Sequence, residues 1–426
     1  MPQSNPESRS TPRSKPYRLF EAVGIELEYM IVSEETLDVV PAADRLLESV
    51  AGELTDEWEN GDIAWNNELA LHVVELKCNG PRATLSGLAE AFQDNVRIAS
   101  RALERESLVL LPTAMHPWMD PAEVRLWPHG TRIIYETFDR IFDCKGHGWA
   151  NLQSAHLNLP FADDEEFARL HAAIRVLLPI LPGLAASSPV VEGQLNGIAD
   201  NRLVAYRTNC ARIPSITGEV VPEPYGSIGE YQERLLERIY ADLAPHDPEG
   251  VLRHEWVNAR GAIARFERMA IEIRVLDVQE CPAADVAFAA AIIATLKSLS
   301  EERWASIESL NAWETRRLAR LLDRVVRDGE HAEIGERRYL ESLGLPRASA
   351  KVARVWEHLI DKAAADGALE GIDERFLESY LRGGTLSTRI RRALGTILPS
   401  RADLERAYRS LGDALLDGRP FGVDAR

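Results

Sequence analysis

The segment AIEIRVLDVQE at residues 270–280 constrains the fold more than any other part of the chain. Apolar and polar side chains alternate in it, which is typical of a β-strand with one face in a core. Glu272 and Arg274 then lie together on the opposite face. The apolar residues are Ile271, Ile273 and Val275. Solvated charges on an antiparallel sheet would give the same pattern, so its interpretation depends on the other strands.

Glu26 and Glu28 are a second feature of this kind. They lie two residues apart in LFEAVGIELEYMIV, residues 19–32, and therefore on one face of a predicted strand. Neighbouring carboxylates repel each other unless a cation or a basic group lies between them. The pair therefore predicts either a site for a hard divalent metal ion, which prefers oxygen ligands, or an exposed sheet edge.

Glu68 and Glu75 lie in a third segment, AWNNELALHVVELKCNGP at residues 64–81. They are seven residues apart, so one flat strand would place them on opposite faces. Glu75 is the stronger candidate because it lies in the most apolar stretch, where a carboxylate most needs a partner. Glu68 joins it only if a turn or a bulge separates the two.

His156 and Asn158 share one face of a fourth predicted strand, within KGHGWANLQSAHLNLP. Beside strands that carry carboxylates, they form a credible ligand pair for a metal or a phosphate. Arg202 and Arg207 are also notable, because the chain is acidic and arginine is suited to bidentate binding of a carboxylate. A solvated surface position is the alternative for either arginine.

The charge balance of the chain limits its partners. Its 426 residues include 67 acidic and 49 basic side chains, which gives a formal net charge of -18. We expect neither nucleic acid nor an anionic membrane as a partner, but metal cations and small substrates. No apolar run approaches the ~20 residues that span a bilayer. Four cysteines without a CxxC pair favour a reducing cytoplasm.

The four strands together predict a metal-dependent site. Several carboxylates on one sheet face are costly unless two or more divalent cations neutralise them. Glutamates with one histidine and an arginine suit Mg²⁺ or Mn²⁺ holding a nucleoside triphosphate. The chain has no GxxxxGK[ST] loop and no kinase signature, so any use of ATP is of this metal-bound kind. Zinc is disfavoured, because HExxH and a cysteine cluster are absent.

An ordered set of motifs resembles a known family. GIELEYMIV, VVELKCNGP, AHLNLPF, LPGLAASSPVVEG, NRLVAY and AIEIRVLDVQECP follow one another within residues 19–299. The set resembles the glutamate–cysteine ligase superfamily, and its bacterial type 2 branch of carboxylate–amine ligases in particular. The resemblance implies an α+β fold like that of glutamine synthetase, in which a curved, mainly antiparallel sheet forms a funnel with flanking helices.

This resemblance also implies a domain organisation. Residues 1–16 are expected to form a disordered tail, and residues 17–300 a glutamine synthetase-like catalytic domain. Residues 301–426 are expected to form a helical C-terminal extension, which serves as a cap or as the surface of a homo-oligomer.

The activity implied by the resemblance is ATP-dependent. ATP phosphorylates the γ-carboxylate of glutamate, and an amine, with cysteine as the expected one, attacks the acyl phosphate. Arg274 would act in catalysis with Glu272 and contact the nucleotide. Arg202 would bind the substrate carboxylate, with Arg207 as its competitor for that role. His156 and Asn158 would also contact the nucleotide. The implied metal ligands are Glu26, Glu28, Glu68, Glu75, His156 and Glu272.

The chain departs from the family in one motif and leaves alternatives open. The family strand often reads His-x-His, whereas this chain has His156-Leu157-Asn158, which replaces one ligand by an amide. A different carboxylate or amine would give a specialised metabolite instead of a glutathione precursor. A regulatory binding protein without turnover is a further alternative, although the complete set of acids disfavours it. A helical scaffold with solvated charges is the last.

Overall fold

The computed structural model describes residues 15–422. The predicted tail at residues 1–16 lies almost entirely outside the described residues. The strands are β1 (Gly24–Ser33), β2 (Glu57–Asn60), β3 (Ile63–Asn67), β4 (Val73–Cys78), β5 (Leu108–Leu111), β6 (Ser154–Pro160), β7 (Val190–Val191), β8 (Gln194–Leu195), β9 (Ala262–Arg265), β10 (Ala270–Asp277), β11 (Glu333–Ile334) and β12 (Ala350–Lys351).

Eight of these strands form one antiparallel sheet in the order β2-β3-β4-β1-β6-β10-β9, with β5 also paired to β1. β1 lies at its centre, because β4 pairs along one edge while β6 and then β5 pair along the other. The predicted α+β fold with a mainly antiparallel sheet and flanking helices is confirmed. The two remaining strand pairs, β7-β8 and β11-β12, are short ribbons outside the sheet.

The helices are α1 (Ala43–Ala51), α2 (Leu88–Leu103), α3 (Arg132–Phe142), α4 (His147–Ala150), α5 (Asp164–Leu177), α6 (Pro182–Ala185), α7 (Asn201–Tyr206), α8 (Ile228–Tyr231), α9 (Glu237–Leu243), α10 (Pro282–Ser300), α11 (Ile307–Asn311), α12 (Thr315–Asp328), α13 (Arg337–Ser342), α14 (Val352–Ala365), α15 (Arg375–Gly383), α16 (Leu386–Leu394) and α17 (Arg401–Asp417). A π-helical turn, Gln232–Leu236, joins α8 to α9.

One face of the sheet is apolar and is covered by helices. Leu27, Leu157 and Ile273 are at most 1% exposed and belong to one large core. Helices α2, α5 and α10 belong to the same core. Among the described residues, α10 is the one helix whose length and composition would allow it to cross a membrane, and 78% of its apolar window is buried inside the protein. It is therefore a core helix.

A β-bulge interrupts the pairing of β10 with β6. Ile273 pairs with Leu157, but the next paired residues are Leu276 and Ala155, so β10 contains one extra residue at this point. The alternation predicted from the sequence holds as far as Val275, which lies in the core, while Arg274 lies beside Glu272. Beyond Val275, the bulge turns Leu276 toward the core and places Asp277 opposite Ser154 on the polar face.

Helices α11 to α15 pack into the same large core as the sheet, whereas α16 and most of α17 form a second apolar cluster with residues of β1 and β5. Tyr380 donates a hydrogen bond to the carbonyl oxygen of Gly183 at 2.8 Å. Arg389 of α16 forms a bidentate, fully buried ion pair with Glu280, which lies in the connection between β10 and α10. The predicted helical character of this segment agrees with the structure, while its division into a separate extension stays a prediction.

Candidate active site

The polar face of the sheet gathers acidic and other polar side chains from β1, β4, β6 and β10 and from the turn between β3 and β4. The register pairs Glu26 with His156 across β1 and β6, and Glu28 with Glu75 across β1 and β4. Glu272 of β10 pairs with Asn158 of β6 in the same way. Paired residues in antiparallel strands point to the same face, so the register itself brings these side chains together.

Glu26 is held by the two polar residues of β6. One of its carboxylate oxygens lies 3.0 Å from Nδ1 of His156, and the other accepts a hydrogen bond from the amide of Asn158 at 3.1 Å. Burial raises the pKa of Glu26, but the hydrogen bond and charge of His156 outweigh burial and hold the pKa well below its usual range. The side-chain amide oxygen of Asn158 is buried and has no hydrogen-bond partner among the described residues.

Glu28 lies deeper and is fixed by Ser154. Its Oε2 accepts hydrogen bonds from the backbone N–H and the hydroxyl of Ser154, at 2.7 and 3.0 Å. Its Oε1 lies 3.8 Å from Nε2 of His156. Burial lowers the pKa of His156, but its hydrogen bond to Glu26 and the charges of Glu28 and Glu272 raise the pKa above its ordinary value.

Glu68 and Glu75 converge because a turn separates them. β3 ends at Asn67, and Glu68 lies in the connection to β4, which carries Glu75. Burial raises the pKa of each carboxyl well above its usual range, and nearby carboxylates add to the effect: Glu28 and Glu75 act on Glu68, while Glu26 and Glu28 act on Glu75. Both side chains therefore lie in a negative, desolvated environment without sufficient positive charge.

Two groups of potential metal ligands share Glu75. One ligand atom from each of Glu26, Glu75 and His156 lies within 4.8 Å of the others, and the same holds for Glu28, Glu68 and Glu75. These are mostly carboxylate oxygens, which suit Mg²⁺ or Mn²⁺. The raised pKa values of Glu68 and Glu75 are the expected signature of acids that a cation would neutralise. The residues therefore fit two such cations.

Glu272 lies between two arginines and is 1% exposed. Nε of Arg274 lies 2.7 Å from one carboxylate oxygen, and Nη1 of Arg265 lies 2.8 Å from the other. Burial raises the pKa of Glu272, but these arginines outweigh burial and lower it. The charge of Glu272 raises the pKa of Arg274 against the opposing effect of burial. A guanidinium pair therefore lies at one end of the acidic face.

The two arginines predicted to bind substrate lie in ion pairs. Arg202 is 1% exposed, and its Nε donates to Asp277 at 2.6 Å. Arg207 pairs with Asp323 of α12 and keeps a third of its side chain exposed, at 33%. Their predicted contact with a substrate stays a prediction.

A cavity of about 320 Å³ opens beside the acids at the end of the sheet where β1 begins. Glu26 and Asn158 belong to its lining, and Lys77 and Arg268 add positive charge there. Arg268 lies 3.8 Å from Glu26 and is 54% exposed. The cavity is therefore a continuation of the acidic face, and the two cationic side chains of its lining are Arg268 and Lys77, which pairs with Glu57 at 3.1 Å.

Asp277 and Lys77 belong to this face but are absent from the residues predicted from the sequence, and Arg265 is not among the selected site residues. Lys77 follows Glu75 by two positions, so the alternation that selected Glu75 could have selected it as well. Asp277 could not have been found in this way, because the bulge changes the side on which it lies. Arg265 depends on the pairing of β9 with β10, which alternation does not predict.

Comparison with known proteins agrees with this geometry. Residues 22–407 match the glutamate–cysteine ligase family 2. An uncharacterized protein of Archaeoglobus fulgidus is 38% identical over 329 residues, which covers 76% of this chain and 88% of that one. A protein of Nocardioides sp. named "Putative glutamate–cysteine ligase 2-1" is 27% identical over 360 residues, covering 82% and 86%.

A solved structure shares the fold. The glutamate–cysteine ligase of Francisella tularensis, determined in complex with AMP, superposes with a TM-score of 0.53 at 13% identity and covers 94% of this chain and 93% of that one. Fold and family match together define a ligase of the glutamate–cysteine ligase type. The chain belongs to the glutamate–cysteine ligase family 2. The match continues beyond residue 299, where the motifs recognised in the sequence end.

Proposed function

We propose that this protein is an ATP-dependent carboxylate–amine ligase, which joins the γ-carboxylate of glutamate to an amine through an acyl phosphate. The observation that carries the proposal is the convergence of two acidic ligand groups, which share Glu75, with the arginine pair around Glu272. Phosphoryl transfer requires positioning and charge neutralisation more than covalent help from the protein. This face of the sheet offers both.

The two acidic groups would hold Mg²⁺ or Mn²⁺. Such cations, when bound, screen the repulsion between the anionic nucleotide and the anionic acceptor. The remaining work belongs to side chains of this chain. Ser154 fixes Glu28, and Asn158 with His156 fixes Glu26, so these acids do not have to be ordered when a ligand arrives. The side-chain amide oxygen of Asn158, which has no hydrogen-bond partner among the described residues, is a further possible ligand for such a cation.

Arg274 and Arg265 would contact the phosphoryl group during transfer. Both guanidinium groups are already oriented by Glu272, at 2.7 and 2.8 Å. An arginine held in this way supplies positive charge to the equatorial oxygens of the phosphoryl group without being ordered during the reaction. Glu272 thus has a positioning role in addition to its role as an expected metal ligand.

The cavity beside Glu26 would receive the nucleotide. Lys77 and Arg268 lie on its lining, where they can pair with phosphate oxygens. Its wall includes the small residues Gly24 and Ala270, which leave room for a flat ring system. A nucleotide there would approach the acidic ligand groups with its phosphates.

The reaction balances without a further reactant. A carboxylate oxygen attacks the γ-phosphorus and ADP leaves; the amine nitrogen then attacks the acyl carbon, and phosphate leaves while the amine loses a proton. Arg207 is the more accessible of the two arginines proposed for the substrate carboxylate, because the guanidinium of Arg202 is buried against Asp277. Cysteine remains the proposed amine, which would make the product a cytoplasmic precursor of glutathione.

An assay of ADP release tests this proposal. The protein is incubated with Mg²⁺-ATP, glutamate and a panel of amines that includes cysteine, and each substrate is omitted in turn. Release that requires both a carboxylate and an amine supports the ligase, and the most effective amine identifies the acceptor. Release that is independent of the amine, or none with any carboxylate, contradicts it. Glu272→Gln serves as the inactive control.

A further inference from the structure

We infer that Arg202 is a positioning residue that fixes the β10 bulge and thereby directs Arg274 at Glu272. The inference rests on the proposed function for its kinetic consequence, but its structural basis is independent of the substrate. Three contacts of the buried Arg202 guanidinium and two further contacts of its partner Asp277 carry it.

The first observation is the position of the bulge. Arg274 and Val275 together stand opposite His156, between the paired residues Ile273 and Leu276. A bulge redirects the side chains at and after it. Arg274 is therefore the residue whose direction depends most on the shape of the bulge.

The second observation is that β9 ends before it can support this part of β10. The last residue pair of the two strands is Ala262 with Ile273, and the N–H of Arg274 donates to Gly261 just beyond it. The carbonyl groups of Arg274 and Leu276 would otherwise need donors from a neighbouring strand. Nη2 of Arg202 supplies them, at 3.1 and 2.8 Å.

The third observation is that Arg202 is itself anchored from the opposite side. Its Nε donates to Oδ1 of Asp277 at 2.6 Å. The other oxygen of Asp277 accepts the backbone N–H of Ser187 and the hydroxyl of Ser188, at 2.7 and 2.9 Å. One guanidinium thus joins helix α7, a buried loop and three residues of β10. Its commitment to these groups leaves it unsuited to bind a substrate carboxylate.

Steady-state kinetics can distinguish a positioning role of Arg202 from a role in substrate binding. A misplacement of a catalytic group by about 1 Å can lower turnover on the order of 10²-fold. We expect Arg202→Met to lower kcat by about that factor while KM for the carboxylate substrate changes less than about threefold. Arg202→Lys, which can pair with Asp277 but cannot span both carbonyl groups, should lie between the two.

Arg175→Met is the matched control. Arg175 is 0% exposed and also donates to backbone carbonyls, those of Pro222 and Trp313, but it contacts no residue of the acidic face. Its loss should lower the melting temperature and leave kcat unchanged. A comparable loss of kcat in this variant would show that any buried arginine has the same effect and would overturn the inference.

Amide hydrogen exchange provides a readout that needs no activity. In Arg202→Met and Arg202→Lys, peptides that cover residues 273–278 should exchange at least about tenfold faster than in the unaltered protein, because the carbonyl contacts that hold the bulge are lost. Unchanged exchange there would overturn the inference even if no substrate gave turnover. A large increase in KM for the carboxylate with kcat retained would also overturn it and return Arg202 to the substrate site.

Discussion

Glu75→Gln tests the cation sites most sharply, because Glu75 is the residue that the two ligand groups share. Its pKa is raised, chiefly by burial and then by Glu26, so the folded protein favours the protonated form. As pH rises above the ordinary value of 4.5, the unfolded chain loses this proton before the native state does, and stability falls. Glutamine has no such cost. Without cations at neutral pH, the variant should melt at the same temperature as the unaltered protein or above it.

Added Mn²⁺ should raise the melting temperature of the unaltered protein and have much less effect on Glu75→Gln. A ligand present at 100 times its Kd stabilises the native state by about 2.7 kcal/mol. The entropy of unfolding of a chain this long is about 0.9 kcal/mol per kelvin, so the unaltered protein should melt about 3 °C higher. Glu75→Gln should lose most of this shift, because both ligand groups lose a carboxylate.

Glu166→Gln is the control for this experiment. Glu166 is as buried as Glu75, at 7% against 6%, but it accepts the N–H groups of Leu19 and Ala162 far from the acidic face. Its replacement should lower the melting temperature without cations and leave the Mn²⁺ shift intact. If Glu75→Gln behaves like this control, the account of the cation sites is refuted.

The other predictions concern turnover, acid stability and the C-terminal helices. Glu272→Gln should abolish ADP release and leave the circular dichroism spectrum unchanged, because both arginines lose their anionic partner; retained turnover would remove Glu272 from the site. His171 has a pKa of about 3, since burial disfavours its charged form. Below pH 6.5 the unfolded chain binds a proton that the buried ring does not. The free energy of unfolding should therefore fall by up to about 1.4 kcal/mol per pH unit in that range. His171→Phe should flatten that dependence in urea unfolding at pH 7 and 5, and an unchanged slope would contradict the assignment. Arg389→Met leaves Glu280 buried without a partner and should cost roughly 3–5 kcal/mol in urea unfolding. The double variant with Glu280→Gln should recover much of that loss, and no recovery would contradict the ion-pair argument.

Alternation within single strands predicted much of the site. Glu26, Glu28, Glu75 and Glu272 could each be placed on the polar face of a strand, because side-chain direction in a strand has a period of two residues. The resemblance of the ordered motifs to a known family predicted that these strands lie in one sheet. Alternation alone could not show that Glu26 lies opposite His156, which is 130 residues away, because register depends on long-range pairing.

The bulge in β10 marks the limit of this reasoning. A single extra residue reverses the side of every residue after it, and nothing in the letters 270–280 indicates one. Asp277 therefore lies on the polar face, which alternation did not predict. There it forms an ion pair with Arg202, which the sequence had suggested as a substrate ligand. Such contacts depend on where helix α7 packs against the sheet, and this is a property of the tertiary structure.

The fate of the carboxylate oxygen most directly tests the central claim, which is that the ligase reaction passes through an acyl phosphate. Glutamate labelled with oxygen-18 in its γ-carboxylate is incubated with the protein, Mg²⁺-ATP and the amine that gives the fastest ADP release. An acyl phosphate transfers one labelled oxygen to the phosphate that leaves, so mass spectrometry should find one labelled oxygen per phosphate and an amide of equal amount. Phosphate without label, formed together with ADP, would mean that water attacks the nucleotide, and it would contradict the ligase mechanism.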